Sequence, residues 1–177
     1  MLAMSSRILL VVAIVLGMII VLQGQNENDL VNWPSFRGPN ASGIAENFAT
    51  PISWDVETLK NIKWKIAIPG LAHSSPIIWE DRMYITTASG EADAELKVGL
   101  YGNIVPVDDD SVHEWKVYCL DKKTGKILWE RTAHKGVPKV KRHPKATHAN
   151  STPGTDGKYI VAFFGSEASF VTIWTAN

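Results

Sequence analysis

The sequence has one cysteine, no excess of either charge and, beyond residue 32, no sustained helical periodicity. Its single thiol, Cys119, excludes an internal disulfide framework and any zinc site built from several thiolates. The 18 basic side chains balance the 18 acidic ones among 177 residues, which excludes a general nucleic-acid binder. A hydrophobic fraction of 45% is too high for intrinsic disorder. We therefore expect a globular chain with no nucleic-acid partner.

Charge is also scarce at the amino terminus, where Arg7 alone precedes an apolar run that begins at Ile8 and ends at Leu22. As a helix this run is about 22 Å long, which is short of the roughly 30 Å core of a bilayer. Residues 1–24 are therefore predicted to be either a cleaved signal peptide or an uncleaved membrane anchor. In both cases we expect an exported chain, periplasmic or extracellular, with residues 25–50 as leader and tether.

Past the tether, short apolar runs alternate with Gly, Pro, Asp and Asn. Strand-length runs rich in β-branched and aromatic residues cover 82–87, 114–120, 126–131 and 158–164. Within 115–120, apolar side chains occur at both alternating sets of positions. This pattern predicts a sheet that is buried on both faces.

The clearest local signal is the turn sequence Asp121-Lys122-Lys123-Thr124-Gly125-Lys126. The Asp121 carboxylate can accept hydrogen bonds from the amides that follow it. Gly125 falls where a type I turn ends in a left-handed residue, a conformation that glycine adopts without strain. A tight hairpin is predicted between residues 115–121 and 126–131.

The chain also repeats itself. Asp81, Tyr84, Ile85 and Gly90 recur 75 positions later as Asp156, Tyr159, Ile160 and Gly165, and Ile62 and Trp64 recur 65 positions later as Ile127 and Trp129. One unit reads as a Ser/Thr-Pro strand, a Tyr-Ile strand, a strand ending in Leu-Asp and a fourth strand bearing Trp. Four strands per unit, repeated and buried on both faces, predict the blades of a β-propeller.

The stretch from Val117-Tyr118-Cys119-Leu120-Asp121 through Thr124-Gly125-Lys126 to Trp129 resembles the repeat of pyrroloquinoline-quinone-type, or quinoprotein-like, β-propellers. The segment Asn32-Trp33-Pro34-Ser35-Phe36-Arg37-Gly38 resembles the leader of exported bacterial members. The resemblance covers residues 32–167. It implies an all-β fold after an N-terminal apolar helix, with residues 51–167 forming about one full four-stranded blade and parts of its neighbours. It also implies structural roles for a blade motif of Asp121, Thr124, Gly125, Trp129 and Trp64, with Trp64 on the outer strand of another blade.

The end of the sequence fits the repeat less well. Residues 168–177 contain neither Leu-Asp nor Thr-Gly, although a third strand should begin there. They are predicted to be an aberrant tail of a truncated chain, produced by a shifted reading frame or a damaged gene end. An intact open repeat is the alternative.

The resemblance leaves two classes of function open. One is a non-catalytic scaffold or protein-binding module, which implies a protein partner. The other is a fragment of a quinone-dependent alcohol or sugar dehydrogenase, a class that stacks the quinone beside a calcium ion and in its closest members uses adjacent cysteines. Cys119 has no cysteine neighbour and is expected to be a small core residue. We assign no catalytic residue, metal ligand or cofactor ligand, so quinone and calcium are implied only by resemblance.

Histidines and charged loops offer weaker candidates for a site. His73 and His148 each precede a Ser/Thr-Pro strand and could present imidazoles to one channel mouth, to bind a metal or an anion, or could pack in turns and at the surface. Residues 91–114 are acidic, with Asp108–Asp110 as a candidate calcium loop, and residues 134–148 are basic, as a candidate anion loop. The competing interpretation is two solvated loops of opposite sign that attract each other. His113, His134 and His143 have weaker claims.

Overall fold

The computed structural model describes residues 32–45, 48–90, 96, 102, 105–165 and 170–176. Within these ranges the chain forms seven strands and a single 3₁₀ turn, Pro39–Ala41. The strands are β1 (Ile77–Trp79), β2 (Arg82–Gly90), β3 (His113–Asp121), β4 (Ile127–Gly136), β5 (Gly154–Thr155), β6 (Tyr159–Phe164) and β7 (Phe170–Thr175). They build two antiparallel sheets, so the prediction of an all-β chain is confirmed.

The first sheet is a four-stranded meander in the order β1-β2-β3-β4. Its register places Tyr84 opposite Cys119, and Cys119 opposite Trp129. On one face of β3 Cys119 is 0% exposed, and on the other Tyr118 and Leu120 are at most 1% exposed. The predicted two-sided burial is confirmed, and it explains why this strand lacks a simple alternation of apolar and polar residues.

The predicted hairpin joins β3 to β4. The Asp121 carboxylate accepts hydrogen bonds from both the amide and the hydroxyl of Thr124, each at 2.7 Å. The Gly125 amide donates to the Asp121 carbonyl at 2.8 Å, and Gly125 has a φ of 75°, in the left-handed region. The turn is thus closed by local contacts that the sequence specifies, and the hairpin prediction is confirmed.

The second sheet contains three strands in the order β5-β6-β7. Val161 on β6 pairs with Ile173 on β7, and Ile160 pairs with Trp174. Residues 170–175, which the sequence analysis assigned to an aberrant tail, thus form the third strand of this sheet.

The two sheets share a core between their facing surfaces. One cluster joins Tyr84 and Cys119 of the first sheet to Ile160 of the second, and another joins Trp115 and Val117 to Ala162 and Phe164. Trp129 packs against both clusters. Cys119 lies within this core, as predicted, and burial raises the pKa of its thiol to about 11.

The leader segment connects the edges of both sheets. Trp33 and Ile78 exchange two backbone hydrogen bonds, of 2.7 and 2.9 Å, at the β1 edge. The amide of Thr155 on β5 donates to the next carbonyl, Pro34, at 2.9 Å. A short stretch of the leader therefore bridges β1 and β5. These two strands are distant in the sequence, since Gly154, the first residue of β5, follows Trp79, the last residue of β1, by 75 positions.

Several predictions concern residues outside the described ranges. They include the apolar run from Ile8 to Leu22, the acidic side chains Glu91, Asp93 and Glu95, and residues 168–169 of the tail. In the part of the chain that is described, no helix has both the length and the apolar character needed to cross a membrane.

Candidate functional site

The acidic and basic loops meet beside the start of β3. The amide of Val107 donates to the Arg142 carbonyl at 3.0 Å, which aligns the two segments. The Lys141 ammonium pairs with the carboxylates of both Asp108 and Asp110, which remain exposed. The predicted attraction between the loops is therefore present. Because Lys141 occupies both outer carboxylates, these two residues do not form an open calcium loop.

Asp109, between them, points the other way and is buried with Arg142. Asp109 is 8% exposed and Arg142 is 6% exposed, and Arg142 Nε donates a hydrogen bond to Asp109 Oδ2 at 3.1 Å. Arg142 Nη1 also donates to the Ala146 carbonyl at 3.2 Å. Removing one member of such a buried pair typically costs about 3–5 kcal/mol, because the other charge is left without compensation.

Two buried histidines complete this cluster around Asp109. His148 Nε2 lies 3.1 Å from Asp109 Oδ2, and His113 Nε2 lies 3.8 Å from the same oxygen. The imidazole centroids are 5.1 Å apart in an edge-to-face arrangement. We call Asp109, His113, His148 and Arg142 the buried polar cluster.

The orientation of His113 is set by a backbone carbonyl. His113 Nδ1 lies 2.8 Å from the Ser111 carbonyl oxygen, which can only accept a hydrogen bond. Nδ1 therefore carries the hydrogen. In the neutral ring, Nε2 then has a lone pair, which faces Asp109 and His148. Gly90 makes room for this ring: a Cβ at Gly90 would lie 2.7 Å from His113 Nε2.

Trp115 forms the apolar wall of the cluster. It is 0% exposed, and its ring centroid lies 5.9 Å from that of His113 and 6.0 Å from that of His148. The indole Nε1 donates to the His148 carbonyl at 3.2 Å, which holds the backbone of the basic loop against β3. His134 packs on the same indole at 5.2 Å.

The electrostatics of the cluster favour a neutral His148. Burial lowers the pKa of His148 below its ordinary value of 6.5, and the nearby Asp109 carboxylate opposes this shift without cancelling it. Asp109 Oδ1 is buried and has no hydrogen-bond partner among the described residues. The cluster therefore offers a carboxylate oxygen and two imidazole nitrogens in a site from which water is largely excluded.

A cavity of about 260 Å³ with a mixed polar and apolar lining adjoins the cluster. Its lining includes His148 and Arg142 of the cluster, together with Asn150 and Ser151. His148 thus belongs to the buried cluster and also borders a space large enough for several water molecules.

The structure separates the two histidines that the sequence paired. His148 lies in the cluster, whereas the His73 side chain is exposed and only its backbone amide reaches the loop, donating to the Ala149 carbonyl at 3.1 Å. Sequence reasoning missed Asp109 as the partner of His148, because 39 residues separate them. Asp109 also precedes His113 by four residues, but that spacing brings side chains together on a helix and not in a segment that leads into a strand.

The blade-motif residues lie elsewhere, at the opposite end of β3. Trp64 lies in the segment 62–68, which forms no strand. Its ring covers Gly125, where an added Cβ would be 2.6 Å from two ring atoms. Its Nε1 donates to the Lys122 carbonyl at 3.0 Å. Trp129, on β4, lies 6.0 Å from the Tyr84 ring and 5.6 Å from the Arg131 guanidinium carbon.

No protein-family model matches this sequence, and no curated protein matches it.

Proposed function

We propose that this chain is part of an exported, quinoprotein-like β-propeller and acts as a non-catalytic scaffold that binds a partner protein. The observation that supports this best is an exposed apolar face on the second sheet. Tyr159, Val161 and Phe163 of β6 are 39–41% exposed, and Ile173 of β7 is 61% exposed. These four side chains form what we call the outer face, beside a largely apolar groove of about 590 Å³ lined by Tyr159, Val161 and Ile173.

The repeat explains why this face is expected to be covered. In the first sheet, the residues of β2 that face the second sheet are Arg82, Tyr84, Thr86 and Ala88. Tyr84 and Ala88 lie in the shared core. Arg82 donates a hydrogen bond to the Ala176 carbonyl just after β7, and Thr86 donates one to the Ser151 carbonyl just before β5. Tyr84 recurs as Tyr159, and β6 pairs antiparallel with the short strand before it, as β2 does.

The equivalent face of the second sheet is therefore the outer face. A further antiparallel sheet, stacked in the same sense, would bury it as the second sheet buries the first, which is the arrangement of successive blades. In the proposed scaffold a partner protein takes the place of that sheet, because contiguous exposed apolar surface marks interaction sites.

The contact of Trp64 supports the propeller in a second way. Trp64 and Trp129 are equivalent in the repeat, and Trp64 packs on the Asp121–Gly125 turn of the following unit. A tryptophan of one unit that covers the turn of the next is a contact that further blades of a propeller would repeat. The burial of a large ring at each such joint stabilises the stack.

The test uses the outer face and an exposed apolar control. Val161→Cys introduces an accessible thiol, because Cys119 is buried, and Leu128→Cys on β4 is the control since Leu128 is 47% exposed. Each variant is labelled with a photoreactive maleimide and irradiated in a cell-envelope extract. We expect one protein adduct at position 161 and none at 128, and we expect Val161→Lys to abolish binding of the purified adduct partner.

Equal adducts at both positions, or none at either, would overturn the proposed binding role. The dehydrogenase alternative has its own test. Tight stoichiometric binding of pyrroloquinoline quinone in the presence of calcium would replace the scaffold proposal with the enzymatic one.

A further inference from the structure

We propose that Asp109, His113 and His148 bind a divalent transition-metal ion, for which zinc and cobalt are suitable probes. One ligand atom from each residue can be chosen so that all three lie within 4.8 Å of one another, and all three residues are buried. The site is independent of the outer face and of the propeller assignment.

The spacing of the three donor atoms suits a small tetrahedral ion. Zinc binds imidazole nitrogen at about 2.0–2.1 Å and carboxylate oxygen at about 2.0–2.2 Å, which separates neighbouring donors by roughly 3.4 Å. The two nitrogen–oxygen distances to Asp109 Oδ2 are 3.1 and 3.8 Å. Shifts of a few tenths of an ångström at the ends of these side chains would bring both nitrogen–oxygen distances to the donor separation of a bound zinc ion.

The hydrogen-bond pattern leaves two acceptors facing each other. Because the Ser111 carbonyl holds the hydrogen of His113 on Nδ1, the Nε2 lone pair and the Asp109 carboxylate face each other across 3.8 Å. Two acceptors in a buried site repel each other unless a proton or a cation lies between them. The second carboxylate oxygen, Asp109 Oδ1, is also buried and has no hydrogen-bond partner among the described residues.

The surroundings hold the donors in place as outer partners do in metal sites. Ser111 orients His113, Arg142 orients the carboxylate, and the Trp115 indole holds the His148 backbone. Such partners fix ring orientation and raise the affinity of the ligands. When the neutral His148 ring binds through Nε2, its hydrogen resides on Nδ1.

Charge and donor type together predict which ions bind. Arg142 already balances the Asp109 charge, so the cluster has no surplus negative charge to attract calcium or magnesium, which bind oxygen donors. Two imidazole nitrogens favour zinc, cobalt, nickel or copper. The cavity that His148 lines leaves space for water beside the site.

The alternative to a metal site is an ion-pair cluster in which His113 or His148 is protonated. Titration calorimetry with zinc on the untagged full-length chain distinguishes the two, since a polyhistidine tag would bind the metal itself. We expect one zinc per chain, and visible absorption bands of a bound cobalt ion at the same stoichiometry. Calcium at equal concentration should not compete.

Variants assign the ligands. His113→Gln and His148→Gln should each lower zinc affinity at least about 100-fold, because loss of outer partners alone costs about 10–100-fold. His73→Gln is the matched control, since His73 is exposed and its side chain lies outside the cluster. It should bind zinc as the unaltered chain does.

The proposal is overturned if the unaltered chain shows no cobalt absorption bands and no zinc binding at one per chain, a result that does not depend on the folding of any variant. It is also overturned if the two ligand variants, folded by circular dichroism, bind zinc as tightly as His73→Gln.

Discussion

Gly125→Ala is the sharpest test of how the hairpin turn is held. Gly125 has a φ of 75°, and an added Cβ would lie 2.6 Å from two atoms of the Trp64 ring. Gly43 provides a matched control, because its φ of 71° is nearly the same and an added Cβ would meet no atom within 4 Å among the described residues. The two substitutions therefore share one cost and differ in the contact with Trp64.

The shared cost is conformational. Alanine in the left-handed region loses about 1–2 kcal/mol, offset by about 0.4–1 kcal/mol because alanine restricts the unfolded chain. Gly43→Ala should therefore destabilise by about 0–1.6 kcal/mol.

At Gly125 the indole must also move. Displacing it breaks the 3.0 Å hydrogen bond from Trp64 Nε1 to the Lys122 carbonyl. That bond contributes about 0.5–1.5 kcal/mol, and re-exposing part of the ring costs a further 1 kcal/mol or so. We expect Gly125→Ala to destabilise by about 2–4 kcal/mol in total.

Urea unfolding followed by circular dichroism measures both free energies, with an unchanged slope as the check that only stability has changed. A double-mutant cycle then isolates the contact. In a Trp64→Ala background, Gly125→Ala should cost no more than Gly43→Ala does. Equal costs for the two glycines in the unaltered background would refute the packing of Trp64 on this turn.

Three further outcomes follow from burial and hydrogen bonding. Trp129→Ala should lower the free energy of unfolding by about 3–5 kcal/mol, because its ring packs against both core clusters; a loss below about 1 kcal/mol in urea would contradict that packing. Burial raises the pKa of Cys119 to about 11, so a thiol reagent at pH 8 should react only after unfolding, and rapid native labelling would be the contrary result. Hydrogen bonds from the Thr124 hydroxyl and amide lower the pKa of Asp121 below 3.8, so its stabilising contribution is present above pH 3.8 and is lost as the pH falls through the lowered value. Thr124→Val should move the Asp121 pKa, measured by NMR titration, back towards 3.8; no movement would show that the hydroxyl is not a partner.

The hairpin could be predicted because its contacts are local. Asp121, Thr124 and Gly125 lie within five residues, and their hydrogen bonds close within the same turn. The strands of the first sheet were likewise predictable, since each is a run of β-branched and aromatic residues between turn signals.

The buried polar cluster was not predictable in this way. Its carboxylate lies in an acidic loop and its second histidine in a basic loop 39 residues later. Composition indicated only two loops of opposite sign. Which aspartate would be buried depends on the alignment of Val107 with Arg142, a contact between distant segments.

Local chemistry in the sequence was enough to determine the strand class, the Thr-Gly turn and the repeat, because backbone propensity and side-chain-to-backbone hydrogen bonds act over a few residues. Only the tertiary structure decided that Asp109 turns inward between two histidines, and that the outer face of β6 remains uncovered. Both depend on how whole sheets and loops stack, and the burial of apolar surface that drives stacking is not directional enough to be read from neighbouring residues alone.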